Sequence, residues 1–221
     1  MCGRFTLTLD PGEIQELLDL GPFTHIIQPR YNIAPSQPIP IVKDADTRAV
    51  ELYRWGLVPF WSKDPQIGNR LINARSETAF EKPAYRAAFK YRRCLILADG
   101  FFEWRSTGST GGKTPFLFKL INDYPFTFAG LYEHWEPPEG GELHTATILT
   151  CEPNELVREY HNRMPVMLDE EARWQWLDPN ADQKQLMALM KPYPAGDMKC
   201  FEVSKAVNNV RNDVRDVVEP I

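Results

Sequence analysis

Apolar residues fall along this chain in short runs, separated by proline, glycine and charged positions, and the clearest helical spacing lies near the start. Over 11–20, Asp10 can cap, Pro11 suits the first helical position, Glu13 completes a box-like start, and Ile14, Leu17 and Leu18 share one face. The runs IPIVK (39–43), AVELYRW (49–55), CLILAD (94–99), PFLFKL (115–120), FTFAGLY (126–132), TATILT (145–150) and MKCFEVS (198–204) read as strands. Further helices are expected near 83–90, 153–160, 169–177 and 182–191. Strands dominate the middle, and the helices are peripheral and cluster late. The pattern predicts an α+β fold with mainly antiparallel sheets curled into a barrel-like core. The 19 prolines and 13 glycines are spread along the chain, as many short elements require. No repeat, low-complexity tract or linker divides it, so residues 1–221 are read as one domain.

Composition narrows the class. An apolar fraction of 43% and an aromatic fraction of 12% suit a globular protein with a real core. No apolar run reaches membrane-spanning length, and no charged segment followed by an apolar one opens the chain, so a cytoplasmic protein with no membrane partner is expected. Cys2, Cys94, Cys151 and Cys200 lie far apart with no C-x-x-C pair. That spacing supports neither a disulfide framework nor a cysteine-based zinc site, and no metal or cofactor is implied. Cys94, in RRCLILADG, reads as a small buried hydrophobe. The net charge of −5 argues against a broad nucleic-acid coat and leaves room only for a local patch.

Several segments place polar residues where packing gives no reason for them. In INARSET (72–78), Asn73, Arg75 and Glu77 alternate, so an extended chain would present all three on one face. In ADGFFEW (98–104), Glu103 sits among aromatics, where burial would raise its carboxyl pKa and suit it to proton transfer. YHNRMPV (160–166) sets His161 and Arg163 beside an apolar run. RYNIAPSQ (30–37) and WGLVPFWSKD (55–64) read as ordered loops suited to binding. The opening MCGRF puts Cys2 directly after the initiator. It is either an ordinary small hydrophobe or, once Met1 is removed, a free α-amine and a thiol on neighbouring carbons. Singly, every one of these residues has a plain alternative. Asn32 and Asn73 are typical loop-bracing amides, His161 a structural histidine beside Tyr160, and Glu103 a strand residue facing water. Trp55 and Trp61 are packing residues, and Arg30, Arg75 and Arg163 are members of surface ion pairs. Lys90, Arg92 and Arg93 read as a solvated helix end.

Together, MCGRF, RYNIAPSQ, WGLVPFWSKD, LINARSET, ADGFFEW, HNRMPV and VSKAVNNVRND, in this order over positions 2 to 213, closely resemble the SRAP (SOS-response-associated peptidase) family. The resemblance covers nearly the whole chain, which ends soon after the last motif, as in the family's compact type. It implies a protein that binds single-stranded DNA and forms a covalent link to abasic sites through Cys2 after Met1 is removed, acting as a monomer in the cytoplasm and on damaged DNA. It also implies roles for other residues: Asn73 positioning the Cys2 amine, Glu103 and His161 transferring protons, and Arg4, Arg75 and Arg163 contacting phosphates. Thr150 would make a backbone contact to DNA. Trp61 would belong to a wedge that stacks on bases. The peptidase in the family name implies self-removal of Met1.

Elementary chemistry accommodates these roles. An α-amine has a pKa of roughly 8, so part of it is neutral near pH 7 and able to attack the open aldehyde of an abasic sugar. The neighbouring thiol can then close a five-membered thiazolidine on the imine carbon. Effective molarities of roughly 10⁵ M or more favour such ring closure. Two other classes remain open on the sequence: a cysteine peptidase with Cys2 as nucleophile and His161 as base, and a non-covalent module for single-stranded or modified DNA.

Overall fold

The computed structural model describes residues 2–106, 108, 112–137 and 139–221. In chain order its strands and helices are β1 (Phe5–Leu7), α1 (Pro11–Leu17), β2 (Arg30–Ile33), β3 (Pro38–Val42), β4 (Val50–Trp55), β5 (Asn73–Arg75), α2 (Arg86–Tyr91), β6 (Arg93–Ala98), β7 (Gly100–Ser106), β8 (Lys113–Leu120), β9 (Phe126–Trp135), β10 (Leu143–Cys151), α3 (Glu155–Arg158), β11 (Met164–Pro165), β12 (Met167–Leu168), α4 (Glu170–Leu177), α5 (Gln183–Leu189) and β13 (Met198–Glu202). Strands β4, β3, β6, β9 and β10 pair in that order, and β10 returns to β4, so the ring closes. Only that closing pair is parallel, Thr145 lying opposite Arg54. Closure removes the open sheet edges that the long apolar strands would otherwise present. The predicted α+β barrel with mainly antiparallel pairing is therefore the observed architecture.

A second sheet, in the order β13-β8-β7-β1-β2, lies over the barrel. The two are joined through Phe5, whose buried ring meets Trp55 edge-on at 5.2 Å and Phe128 at 5.8 Å. Phe101 stacks on Phe118 at 5.0 Å on the same side. Burying each such ring is worth about 1.5–3 kcal/mol, so the attachment of β1 does not depend on its three residues of ladder alone.

The start of α1 is as read, but the helix ends at Leu17 rather than near 20, and Leu17 is exposed while Ile14 and Leu18 are buried. Asp10 accepts from Gly12 N, and the capping box with Glu13 is complete. The helices expected over 83–90 and 153–160 are shorter than predicted, as α2 and α3 above show. The solvated helix end is a correction. Lys90 is exposed, but Arg92 pairs with the buried Glu133. Arg93 is itself buried and donates to the carbonyls of Phe89, Lys90, Trp176 and Asp178. A guanidinium can be buried when its fork of donors meets that many acceptors.

The loop after β4 is anchored by a close backbone crossing. Gly56 has φ +125°, and a Cβ there would stand 2.5 Å from the Gly68 carbonyl oxygen. Gly56→Ala should therefore cost roughly 3 kcal/mol, which a thermal melt would show as a fall of about 6–12 °C. An unchanged melting temperature would mean that this crossing does not set the loop.

Candidate active site and nucleic-acid face

The N-terminal segment is fixed against β7 before any site chemistry is considered. Asp99 accepts from Thr6 Oγ1, Thr8 N and Thr8 Oγ1, each at 2.6 Å. Phe102 N donates to Arg4 O at 3.0 Å, so the chain just before β1 runs alongside Phe102 and Glu103. That placement buries Cys2 fully. Met1 lies outside the described residues. On the other flank, Asn73 Nδ2 donates to Cys2 O at 2.8 Å, and Tyr85 Oη donates to Asn73 O at 3.1 Å.

β10 brings the remaining motifs together. β5 pairs with it in parallel, setting Asn73 opposite Ile148 and Arg75 opposite Thr150. β11 pairs with it antiparallel at Thr150 and Cys151. The INARSET and HNRMPV segments therefore meet around the end of one strand. The alternation in INARSET stops at Arg75. Beyond it the chain turns, with Thr78 N and Ala79 N both donating to Arg75 O. Glu77 lies in that turn and still reaches Arg163, accepting from Nη1 at 2.5 Å and Nη2 at 2.8 Å.

The electrostatics separate the groups. Burial, followed by the nearby Glu103 carboxylate, pushes the Cys2 thiol well up, so it is held protonated. Burial also raises the Glu103 carboxyl from its ordinary 4.5 to about 7, and the residue is only 3% exposed. Burial lowers His161. Its Nδ1 lies 3.0 Å from Arg163 N, which can only donate, and 3.2 Å from Arg163 O, which can only accept, so either ring tautomer finds a partner there. The positive charge of Lys113 acts on both Glu103 and His161. Burial works against ionisation of Glu77, but the hydrogen bond from Arg163 holds its carboxyl below the ordinary range.

The remaining expected residues divide by exposure. The side chain of Arg75 is exposed and makes no hydrogen bond or ion pair among the described residues. Trp61 is 50% exposed and its neighbour Phe60 is 59% exposed. Their loop is nonetheless tied down: Phe60 N donates to Glu133 Oε2, Trp61 Nε1 to Pro83 O, and Trp135 Nε1 to Ser62 O. Trp55, by contrast, is entirely buried. Arg4, expected at a phosphate, and Thr150, expected to make a backbone contact to DNA, both have partners within the chain. Arg4 Nη1 donates to Asn32 Oδ1 at 2.6 Å and to Val207 O at 2.9 Å, and its guanidinium lies over Trp104. Thr150 is buried, and its carbonyl accepts from Ser76 N and Arg163 Nη2. Sequence reasoning missed Asn32 as the hub between RYNIAPSQ and the C-terminal motif. Its Nδ2 donates to the carbonyls of Val207, Asn209 and Asn212. Only the shared polarity of the two motifs hinted at the link.

The sequence model of the SRAP family, SOS response associated peptidase, matches residues 1–210. The chain belongs to the SRAP family. Among SRAP relatives, the abasic site processing protein YoqW of Bacillus subtilis (strain 168) is 44% identical over 223 residues, covering 99% of each chain. The abasic site processing protein HMCES of Gallus gallus is 37% identical over 228 residues, covering 88% of this chain and 67% of its own. A crystal structure of a protein from Bacteroides thetaiotaomicron superposes with a TM-score of 0.89 at 26% identity over the full length of both chains. Among the described residues no helix is long and apolar enough to cross a membrane.

Proposed function

We propose that this SRAP protein processes abasic sites in single-stranded DNA by covalent capture on Cys2 after removal of Met1. The observation that carries the reading is the grip of Asn73 Nδ2 on Cys2 O, with the residue buried beside a carboxyl whose pKa is raised to about 7. Nothing in packing calls for a buried acid next to the chain terminus, whereas a condensation that must move protons near neutral pH does. The names of the relatives point to the same lesion.

In this reading the neutral Cys2 amine attacks the aldehyde carbon of the open sugar, and the carbinolamine loses water to give an imine. The Cys2 sulfur then adds to the imine carbon while its proton passes, by way of Glu103, to the nitrogen. One water leaves and no oxidant or reductant is needed. The Nε2–H of His161 donates to the sugar ring oxygen and favours the open form. Arg75 and Arg163 hold flanking phosphates. Arg163 exchanges Glu77 for the phosphate, since the same fork serves either oxyanion pair. Phe60 and Trp61 supply faces on which bases stack. The chain acts as a single domain and a monomer, with no metal or cofactor taking part at Cys2, and hydrolytic release of Met1 by the chain itself accounts for the peptidase in the family description.

The test is a denaturing gel of protein lacking Met1 with oligonucleotides carrying one abasic site, in single-stranded and duplex form. A heat-stable, slow band only with the single-stranded lesion supports the reading. A band with undamaged DNA, or none at all, overturns it.

The raised Glu103 pKa fixes the sign of the pH dependence. The carboxylate that accepts a proton accumulates as pH rises through about 7, so the crosslinking rate should rise across that range and Glu103→Gln should flatten the profile. Stability runs the other way. The folded pKa lies above the ordinary 4.5, so the wild type loses stability as pH rises from there through about 7, and the Gln variant does not. Parallel rate and melting profiles check both signs.

A further inference from the structure

We propose that His134, Glu142 and His144 form a zinc site on the barrel surface, separate from the Cys2 site. His134 on β9 and His144 on β10 are directly opposed in the antiparallel register. Their rings stack with centroids 4.4 Å apart and 21° between planes. Glu142 lies just before β10, after Gly140 and Gly141, both in left-handed conformations that turn the chain back. Its carboxylate bridges one nitrogen of each ring: Oε1 is 2.9 Å from His134 Nδ1, and Oε2 is 2.9 Å from His144 Nε2. One ligand atom from each of the three residues falls within 4.8 Å of the others.

Two details favour a metal over a plain hydrogen-bonded cluster. His144 Nε2 is shut off from solvent, and the Glu142 carboxylate stands 2.9 Å from it. A cation can take the place of the proton shared by a buried imidazole nitrogen and a carboxylate at that range. The other ring nitrogen of His134, Nε2, is held by Tyr53 Oη at 2.8 Å, and Lys43 Nζ donates to that same hydroxyl at 3.2 Å. Tyr53 also stacks on His144 at 5.0 Å. Ligating histidines characteristically have their second nitrogen fixed in this way.

The donor set selects the ion. Two imidazoles and a carboxylate are poor ligands for calcium or magnesium and suit zinc, with a fourth position left to water. Tetrahedral zinc at about 2.0–2.2 Å from each ligand needs ligand atoms about 3.3 Å apart. Zinc binding would require the half-exposed side chains to rotate to that spacing. Bound zinc would tie the start of β10 to the end of β9, pinning the hairpin between them.

The experiment is a calorimetric zinc titration of the full chain, with cobalt absorption as a second readout of tetrahedral nitrogen and oxygen ligation. Wild type and Cys2→Ala should take up a single zinc ion alike, and His25→Ala should match them. His134→Ala and His144→Ala should each weaken uptake on the order of 100-fold, given that even an outer partner is worth roughly 10–100-fold, and Tyr53→Phe about 10-fold. Retained abasic crosslinking and circular dichroism would show the variants folded. Should a variant unfold, the cobalt spectrum of wild type decides instead: tetrahedral bands without a thiolate charge-transfer band support the site, and octahedral bands overturn it. Absence of uptake, uptake indifferent to His134 and His144, or uptake lost in Cys2→Ala would overturn the proposal. Only the last would place zinc at the crosslinking site.

Discussion

Cys2→Ala should eliminate the heat-stable adduct with abasic single-stranded DNA, a loss on the order of 100-fold or more, while changing non-covalent affinity for the same oligonucleotide less than about threefold. The asymmetry follows from where each interaction resides. The proposed DNA face is built from Arg75, Phe60 and Trp61, exposed on the surface, and the more buried Arg163, whereas Cys2 is fully buried. Alanine retains an α-amine and can still form the first imine. It lacks the sulfur that traps the imine, so the product reverts or breaks the strand. Cys2→Ser is the sharper control, because it keeps size and polarity and removes only the thiol. A serine variant that still gave the stable band would transfer the chemistry to another nucleophile. Equal loss of adduct and of affinity would make the residue a packing element. Loss of one buried sulfur should cost about 1 kcal/mol of stability, too little to explain loss of the band through unfolding.

The second large effect is expected far from the reacting atoms. Asn32→Ala should lower stability by about 3 kcal/mol and the melting temperature by about 6–12 °C. Asn32 is fully buried, accepts from Arg4 and donates to three carbonyls of the C-terminal segment. Alanine removes all three of these donations and the acceptor for Arg4, leaving Arg4 and the Val207 carbonyl only each other. Asn32→Asp discriminates between two accounts of the site. If its main task were to hold Arg4, a carboxylate would serve at least as well. If the three carbonyls matter more, an oxygen in place of Nδ2 faces them repulsively, and the aspartate variant should be the less stable of the two. A thermal melt of both decides it. Asp213 closes the same junction by accepting from Tyr31 N and Asn32 N, so Asp213→Ala should show a smaller loss of the same kind.

These two residues also mark what could be read from the chain. The helix cap at Asp10, the apolar strands of the barrel and the burial of Cys94 depend on local pattern, and pattern is in the sequence. Whether Glu103 faces water or core could not be read within FFEW, where aromatics flank the acid closely and period-two alternation assigns no face. The task of Asn32 depends on carbonyls 175 to 180 positions away, and no local signal encodes such a partner. The same holds for Arg93, whose burial is made tolerable by the carbonyls of Trp176 and Asp178. The motifs did not show which of their arginines face outward. Arg75 does. Arg4 and Thr150 are committed to neighbours that only the folded chain brings near.

The measurement that bears most directly on covalent capture is the intact mass of the adduct, before and after borohydride. Protein of verified mass lacking Met1, mixed with an oligonucleotide carrying one abasic site, should give the sum of the two masses less one water, unchanged by borohydride, because a closed thiazolidine holds no imine to reduce. A product that gains two hydrogens would be an open Schiff base, and the absence of any adduct from correctly processed protein would contradict capture on Cys2 altogether.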